Sequence, residues 1–193
     1  MEKKERRVGT VSRGIRCPII REGDNLAEIV TTSVLEAAEY EGFEMRDRDV
    51  ISVTESIVAR SQGNYASVEA IAKDVKAKLG GETIGVIFPI LSRNRFAICL
   101  KGIAKGCKKI VLMLSYPSDE VGNSLASYDL IDANGINPYS DVLTQEQFES
   151  LFGKSRHPFT AMDYVNYYRE LIESEGTECE IIFSNNPRTI VSY

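Results

Sequence analysis

The run Ile110-Val111-Leu112-Met113-Leu114, which follows Lys109, decides the fold class of this chain. Five consecutive apolar residues are typical of a central strand that is covered on both faces, because a strand with one face in water alternates polar and apolar side chains. Shorter apolar runs predict three further strands, over residues 50–54, 84–88 and 179–183.

Between these runs, apolar residues recur at intervals of three and four, which predicts amphipathic helices. Asp24 or Asn25 caps the first helix and Ser67 the second, and Thr144 with Gln147 forms a capping box for a later one. The predicted helices cover residues 26–38, 68–79, 92–106, 144–152 and 160–172, whereas 129–141 is predicted to be mostly irregular. The alternation predicts an α/β protein with a mixed β-sheet flanked by helices.

The composition is that of one folded domain. The chain has 193 residues, of which 43% are hydrophobic and 26% charged, and a net charge of −5. Since there is no excess of cations to displace phosphate counterions, we expect no nucleic-acid partner. Residues 1–193 are predicted to form a single domain, and a last helix that begins after Ser184-Asn185-Asn186 and stops at Tyr193 suggests the N-terminal part of a longer protein.

Cysteine spacing and hydropathy predict a cytoplasmic protein. Cys17, Cys99, Cys107 and Cys179 lie far apart, unlike a secreted disulfide framework. No stretch approaches the roughly 20 apolar residues that cross a bilayer, so no membrane partner is expected. His157 is the only histidine, which argues against a zinc site and a serine-protease triad.

Polar residues follow the predicted strands. They are Thr54-Glu55-Ser56, Ser92-Arg93-Asn94, the loop from Ser115 to Glu120, and Ser184-Asn185-Asn186. Ligands of α/β sheets bind at the carboxyl ends of strands, where helix N-termini offer N–H groups to anions. We therefore expect an anionic ligand, a phosphate compound, at these ends. Each cluster taken alone is also explained by helix capping.

Two smaller features carry charge near these ends. Asp119 and Glu120 offer the oxygen ligands that Mg²⁺ or Mn²⁺ prefers, although such a pair is also typical of a solvated loop. Arg93 and Arg95 could clamp a phosphate or carboxylate with two hydrogen bonds, or lie on the surface without a ligand.

The opening GIRCPIIREGDNL (14–26) and the later segment RDRDVISVTESIVARSQG (46–63) resemble the γ-glutamyl ligase family of coenzyme F-420 (factor 420), the CofE-like proteins. That family has a GI-P-I-x-x-GD-L opening, a D-x-D-V strand and a T-[SQ]-K-[IV]-V-S-K-x-E-G loop. FPILSRNRF (88–96) and LSYPSDEVGN (114–123) resemble a bacterial branch of it. The similarity is clear over about the first 65 residues and looser from there to Ser184.

The resemblance implies an α+β fold, a homodimer, and an enzyme that forms an amide bond at the expense of GTP with Mg²⁺ or Mn²⁺. A substrate carboxylate is phosphorylated, and the amine of L-glutamate attacks the acyl phosphate. Together with the strand ends, the resemblance places nucleotide or anion binding at Thr54, Ser56, Arg60, Ser92, Arg93 and Asn94, and metal binding at Asp119, Glu120 and Asn185. No catalytic residue is assigned.

The chain departs from the family pattern at several charged positions. Ser56 stands where the family has a loop lysine, Arg60 where it has a second lysine, and Gln62 where it has a glutamate. Ser92-Arg93-Asn94 and Ser184-Asn185-Asn186 lack the aspartates of the family's V-D-x-S-N and S-D-T segments. Phosphoryl transfer depends on such charges. Three interpretations stay open: a ligase with a changed substrate, an anion-binding or regulatory protein that has lost catalysis, and the structural half of a larger enzyme.

Overall fold

The computed structural model describes residues 9–88, 90–157 and 160–193, with the backbone alone for residues 93–95. The described chain divides into two compact units that part between Tyr65 and Ala66. The prediction of a single domain over 1–193 stays a prediction.

Two helices form the regular structure of the first unit. Helix α1 (Leu26–Glu41) begins after Asn25, whose side chain accepts a hydrogen bond from the Glu28 N–H, as the sequence predicted. It ends at Gly42, whose φ of 67° is the left-handed conformation that glycine adopts without strain. Helix α2 (Glu55–Ser61) follows Thr54.

The predicted strand over residues 50–54 is wrong. These residues pair with no strand within the described chain, and the Val50 side chain is 89% exposed. A β-branched run records a local preference for extended backbone, but a strand exists only where a neighbour supplies hydrogen bonds, and residues 9–65 contain no strand.

The second unit is built on a four-stranded mixed sheet. Its strands are β1 (Thr83–Phe88), β2 (Lys109–Leu114), β3 (Leu143–Thr144) and β4 (Glu178–Phe183). Their order is β1-β2-β4-β3, with the first three parallel and β3 antiparallel to β4. The apolar run of β2 lies between two neighbours, as predicted for a strand covered on both faces. Helices with a mixed sheet make the fold α+β.

Helices cover one face of this sheet. They are α4 (Arg93–Lys105), α5 (Tyr128–Ala133), α6 (Gln145–Phe152) and α7 (Tyr164–Glu173), and α3 (Val68–Leu79) packs against α4. Leu100 of α4 and Tyr168 and Ile172 of α7 are fully buried in the same cluster as Leu112 and Phe183 of the sheet.

The opposite face of the sheet has a thinner cover. Val111, Met113 and Ile182 form a small second cluster, against which Ile190 of a 3₁₀ helix, Pro187–Ser192, packs. A Cβ on Gly85 of β1 would lie 2.6 Å from the Ile190 Cγ1 atom, so this close approach requires glycine. No helix within the described residues is long and apolar enough to cross a membrane.

Several element boundaries differ from the sequence prediction. Residues 128–133, predicted to be irregular, form α5 because Ser127 caps them by accepting a hydrogen bond from the Asp129 N–H. Helix α7 begins at Tyr164 rather than at Thr160, since Asp163 is the residue that caps it. The segment after Asn186 is a 3₁₀ helix. Ser67 caps α3, and Thr144 with Gln147 forms the capping box of α6, as predicted.

Truncation of the central strand should destabilise the second unit. Leu112→Ala is expected to lower the free energy of unfolding by about 2–5 kcal/mol, because the fully buried side chain leaves a cavity. Ile98→Ala, at an exposed position on α4, is the control and should stay within about 0.5 kcal/mol. Urea unfolding followed by circular dichroism measures both, and equal losses would contradict a central position for β2.

Candidate functional site at the carboxyl edge of the sheet

The three parallel strands of the second unit end level with one another. Phe88, Leu114 and Phe183, the last residues of β1, β2 and β4, are direct neighbours in the strand register. The segments that leave these strands therefore begin at a single edge of the sheet, which is the position at which open α/β sheets bind ligands.

Asp119 joins the segment after β1 to the loop after β2. Its side chain is only 6% exposed. Oδ2 accepts hydrogen bonds from the Leu91 N–H (2.8 Å) and from Asn123 Nδ2 (2.7 Å). Oδ1 accepts from the backbone N–H groups of Asn123 (2.7 Å) and Val121 (3.0 Å). Four donors occupy the lone pairs of this carboxylate, so it fixes two loops in one arrangement.

Asn185 joins the segment after β4 to the same loop. Its Oδ1 accepts from the Tyr116 N–H (3.0 Å) and its Nδ2 donates to the Tyr116 carbonyl (2.8 Å). Its backbone N–H donates to the Pro138 carbonyl at 2.8 Å. Because the amide meets both polar groups of one backbone residue, the two loops are held in register beyond the ends of their strands.

Ser92, at the start of α4, is tied to the helix layer. Its N–H donates to the hydroxyl of Tyr168 (2.8 Å), which lies within reach of the Ser92 carbonyl (3.3 Å). Burial raises the pKa of Tyr168 above its usual value, against the smaller opposing effect of its hydrogen bond to Ser92. The phenol therefore stays neutral and keeps the proton that it donates.

The structure thus brings three of the predicted segments together, those of Ser92, Asp119 and Asn185. Glu120 follows Asp119 on the same loop and is exposed. The side chains of Arg93, Asn94 and Arg95 lie outside the described residues. The predicted roles of Ser92, Asn94 and Arg93 in anion binding stay predictions.

Thr54, Ser56 and Arg60 belong to the first unit. Thr54 precedes α2 without capping it through its side chain, and its Oγ1 lies 3.2 Å from the Ser56 Oγ. Arg60 is exposed in the last turn of α2. Their predicted role in anion binding stays a prediction as well.

Metal binding at Asp119, Glu120 and Asn185 also stays a prediction. Within the ranges that the structure describes, no three His, Cys, Asp or Glu side chains form a group that could hold a metal ion. The oxygens of Asp119 and of Asn185 already accept hydrogen bonds from N–H groups. The Glu120 carboxylate has no hydrogen bond or ion pair with another described residue, and Mg²⁺ at a nucleotide site needs only one or two protein carboxylates beside phosphates and water.

Two cavities open beside these loops. The smaller, of about 280 Å³, is lined among others by Leu91, Asn123, His157 and Tyr164. The His157 Nδ1 accepts a hydrogen bond from the Thr160 N–H (3.3 Å), and its ring meets the Tyr164 ring edge to face at 5.9 Å. The larger, of about 360 Å³, is named here the tyrosine cavity. Its lining includes Pro117, Tyr128, Asp132, Asn137, Tyr139 and Asn185.

The comparison with protein-family models shows which family this chain belongs to. Residues 14–167 match the family model described as F420-0:gamma-glutamyl ligase. The chain belongs to this family. Searches of the curated proteins and of the solved structures returned no match. The matched residues include Ser92 and Asp119, whereas Asn185 lies beyond them.

Sequence reasoning missed two residues of this edge. Asn123, four positions after Asp119 in a turn-rich segment, had a local signal, because an aspartate often binds N–H groups a few residues on. Tyr168 had none, since its contact with Ser92 joins positions 76 apart in the sequence.

Replacement of the Asp119 carboxylate should loosen this edge. Asp119→Asn puts an NH₂ group where an oxygen accepts two hydrogen bonds, so the free energy of unfolding should fall by about 2–4 kcal/mol. Glu120→Gln, the adjacent exposed carboxylate, should change it by less than about 0.5 kcal/mol. Chemical unfolding tests both, and a similar effect of the two variants would contradict the assignment of Asp119 as the link between the loops.

The raised pKa of the Tyr116 phenol should make the folded protein less stable at alkaline pH. Burial first, and then the charge of Asp141, raises its pKa from 10.0 to about 12. The unfolded chain therefore loses this proton first, and the free energy of unfolding should fall as pH rises through this interval. Unfolding in urea from about pH 9 to about pH 12 measures the slope. Tyr116→Phe should show a shallower fall, and an unchanged slope would refute this cause.

Proposed function

We propose that this F420-0 ligase family member is an enzyme that forms an amide bond between a carboxylate substrate and an amine at the expense of a nucleoside triphosphate, GTP. The observation that carries the proposal is the common edge of β1, β2 and β4, where Asp119 and Asn185 hold three loops together. Family membership over residues 14–167 supplies the reaction class.

The reaction consists of two transfers. A carboxylate oxygen of the substrate attacks the terminal phosphorus of GTP, the bond to the bridging oxygen breaks, and an acyl phosphate and GDP form. The amine nitrogen then attacks the acyl carbon, phosphate leaves, and the amine loses a proton. L-Glutamate is the amine of the family. Because Ser56 and Gln62 are neutral where the family has charged residues, we propose that the amine or the carboxylate substrate differs here.

We propose that phosphate binds at the N-terminus of α4, near Asp119. Helix α4 has 13 residues and begins at Arg93, directly after Ser92. The Ser92 N–H donates to the Tyr168 hydroxyl, and the N–H of the preceding residue, Leu91, donates to Asp119. These two hydrogen bonds hold the start of the helix in place. The free N–H groups of a first turn and its dipole favour an anion. Ser92, Arg93 and Asn94 would bind it there. For the first unit, considered by itself, we propose that Thr54, Ser56 and Arg60 bind an anion.

The proposed divalent cation, Mg²⁺ or Mn²⁺, would be held by the open carboxylate of Glu120 together with the phosphates. Asp119 and Asn185, whose oxygens are engaged, would keep Glu120 in position by fixing the loop that carries it. Such a cation supplies charge that stabilises the transferring phosphoryl group.

We also propose that the protein is a homodimer located in the cytoplasm. Large apolar side chains are exposed on the first unit, including Ile19, Tyr40 and Val50, and a second copy would cover apolar surface of this kind. All four cysteines are free thiols, which supports a reducing compartment.

A protein that binds an anion without catalysis is the second candidate. The engaged oxygens of Asp119 and Asn185 and the serine at position 56 favour it, because they leave fewer charges to stabilise phosphoryl transfer.

Ligand-dependent melting tests the proposed nucleotide site. Millimolar GTP with Mn²⁺ should raise the melting temperature by about 5 °C or more, since a ligand at 100 times its dissociation constant adds about 2.7 kcal/mol to the folded state. Glu120→Gln should reduce the metal-dependent part of the shift. ATP and GDP serve as controls for the base and the terminal phosphate.

The outcomes separate the two candidates. A shift together with phosphate release on addition of carboxylates and amines supports the ligase. A shift without phosphate release for any pair supports the binding protein. The absence of a shift with all three nucleotides would refute a nucleotide site.

A further inference from the structure

The tyrosine cavity differs in charge from a site for anions. No Lys, Arg or His is among the described residues that line it. The sequence carries no basic side chain between Lys109 and Lys154, while Asp129, Asp132 and Asp141 lie within that segment. Asp132 is thus the charged residue among the described lining residues, so the lining favours a cation over a carboxylate or phosphate.

The Asp132 carboxylate has no basic partner among the residues that the structure describes. It lines the cavity from the last turn of α5, a turn with no basic residue. Its carboxylate makes no ion pair or hydrogen bond with any residue that the structure describes, and the carbonyl ends of the helix add partial negative charge at the same place. A cation in the cavity would supply the missing partner.

Two tyrosines line the cavity together with Asp132. Tyr128 and Tyr139 are 65% and 70% exposed although both line a concave surface. The Tyr128 hydroxyl lies 3.2 Å from the Ser118 Oγ, and the Tyr139 N–H donates to the Asn137 Oδ1 at 3.0 Å, so both residues are tied to their surroundings. The face of a tyrosine ring attracts ammonium and guanidinium groups.

Apolar residues provide the rest of the wall. Pro117, Ile131, Ile136 and Pro138 line the cavity beside the tyrosines, and the volume of about 360 Å³ suits a small molecule. The cavity thus combines one open carboxylate, two aromatic faces and an apolar wall.

We propose that the tyrosine cavity binds an organic cation, an ammonium or guanidinium group on a short apolar stem. The charged group pairs with Asp132 and lies against the rings of Tyr128 and Tyr139, and the stem contacts the prolines and isoleucines. This inference does not rest on the proposed ligase reaction, since the cavity and its charge are independent of a nucleotide.

Binding of n-butylguanidinium, compared with the neutral n-butylurea of nearly the same shape, tests the charge requirement on the unchanged protein. Backbone amide resonances of Asn137 and Tyr139 should shift on addition of millimolar butylguanidinium, and butylurea should bind at least about fivefold more weakly. L-Glutamate, which carries a net negative charge, should cause no shift at these positions.

Matched variants locate the site. Asp132→Asn should weaken butylguanidinium binding about fivefold, and Tyr139→Leu about threefold, through the lost ion pair and the lost ring face. Asp129→Asn, which removes the same charge from the same helix outside the cavity lining, should leave binding unchanged. Equal binding of butylurea, equal effects of the two aspartate variants, or no shift at all would each overturn the proposal.

Discussion

The arrangement of the carboxyl edge depends on one buried carboxylate. Asp119 accepts four hydrogen bonds from two different segments of chain, and two of the donors, the N–H of Leu91 and the side-chain amide of Asn123, share a single oxygen. A negative charge removed from water is tolerated where such donors replace its hydration. The start of α4 and the loop after β2 are consequently held in one geometry, and any ligand at this edge meets a surface formed before it arrives.

A second link of different chemistry extends the same edge. The Asn185 amide donates to and accepts from Tyr116, as another strand would, so the loops after β2 and β4 continue the ladder that ends at Leu114 and Phe183. Neutral and charged links together join the three loops. The tyrosine cavity opens on the Asn185 side, and the cavity with His157 on the Asp119 side, so that one edge presents two cavities with different linings.

Local signals predicted much of the fold and less of the site. The apolar run of β2 and the caps Asn25, Ser67 and Thr144 were correct because a buried strand and a helix start are encoded in adjacent residues. The strand over 50–54 was wrong because pairing is not local. The sequence correctly predicted that Asp119 lies at the carboxyl edge of the sheet. One of the donors to its oxygens is the N–H of Leu91, 28 positions away, and no local sequence pattern indicates a contact of that range.

The pairing of β2 with β4 has a consequence for synthesis. Tyr116 and Asn185, which close this pair, are separated by 69 positions, so the ribosome has released β2 together with its first neighbour β1 well before β4 exists. During that interval the edge of β2 that β4 will pair with is open to association with other nascent chains. Lys108 and Lys109, placed directly before the apolar run of β2, are charges of the kind that discourage such aggregation until the later strand arrives.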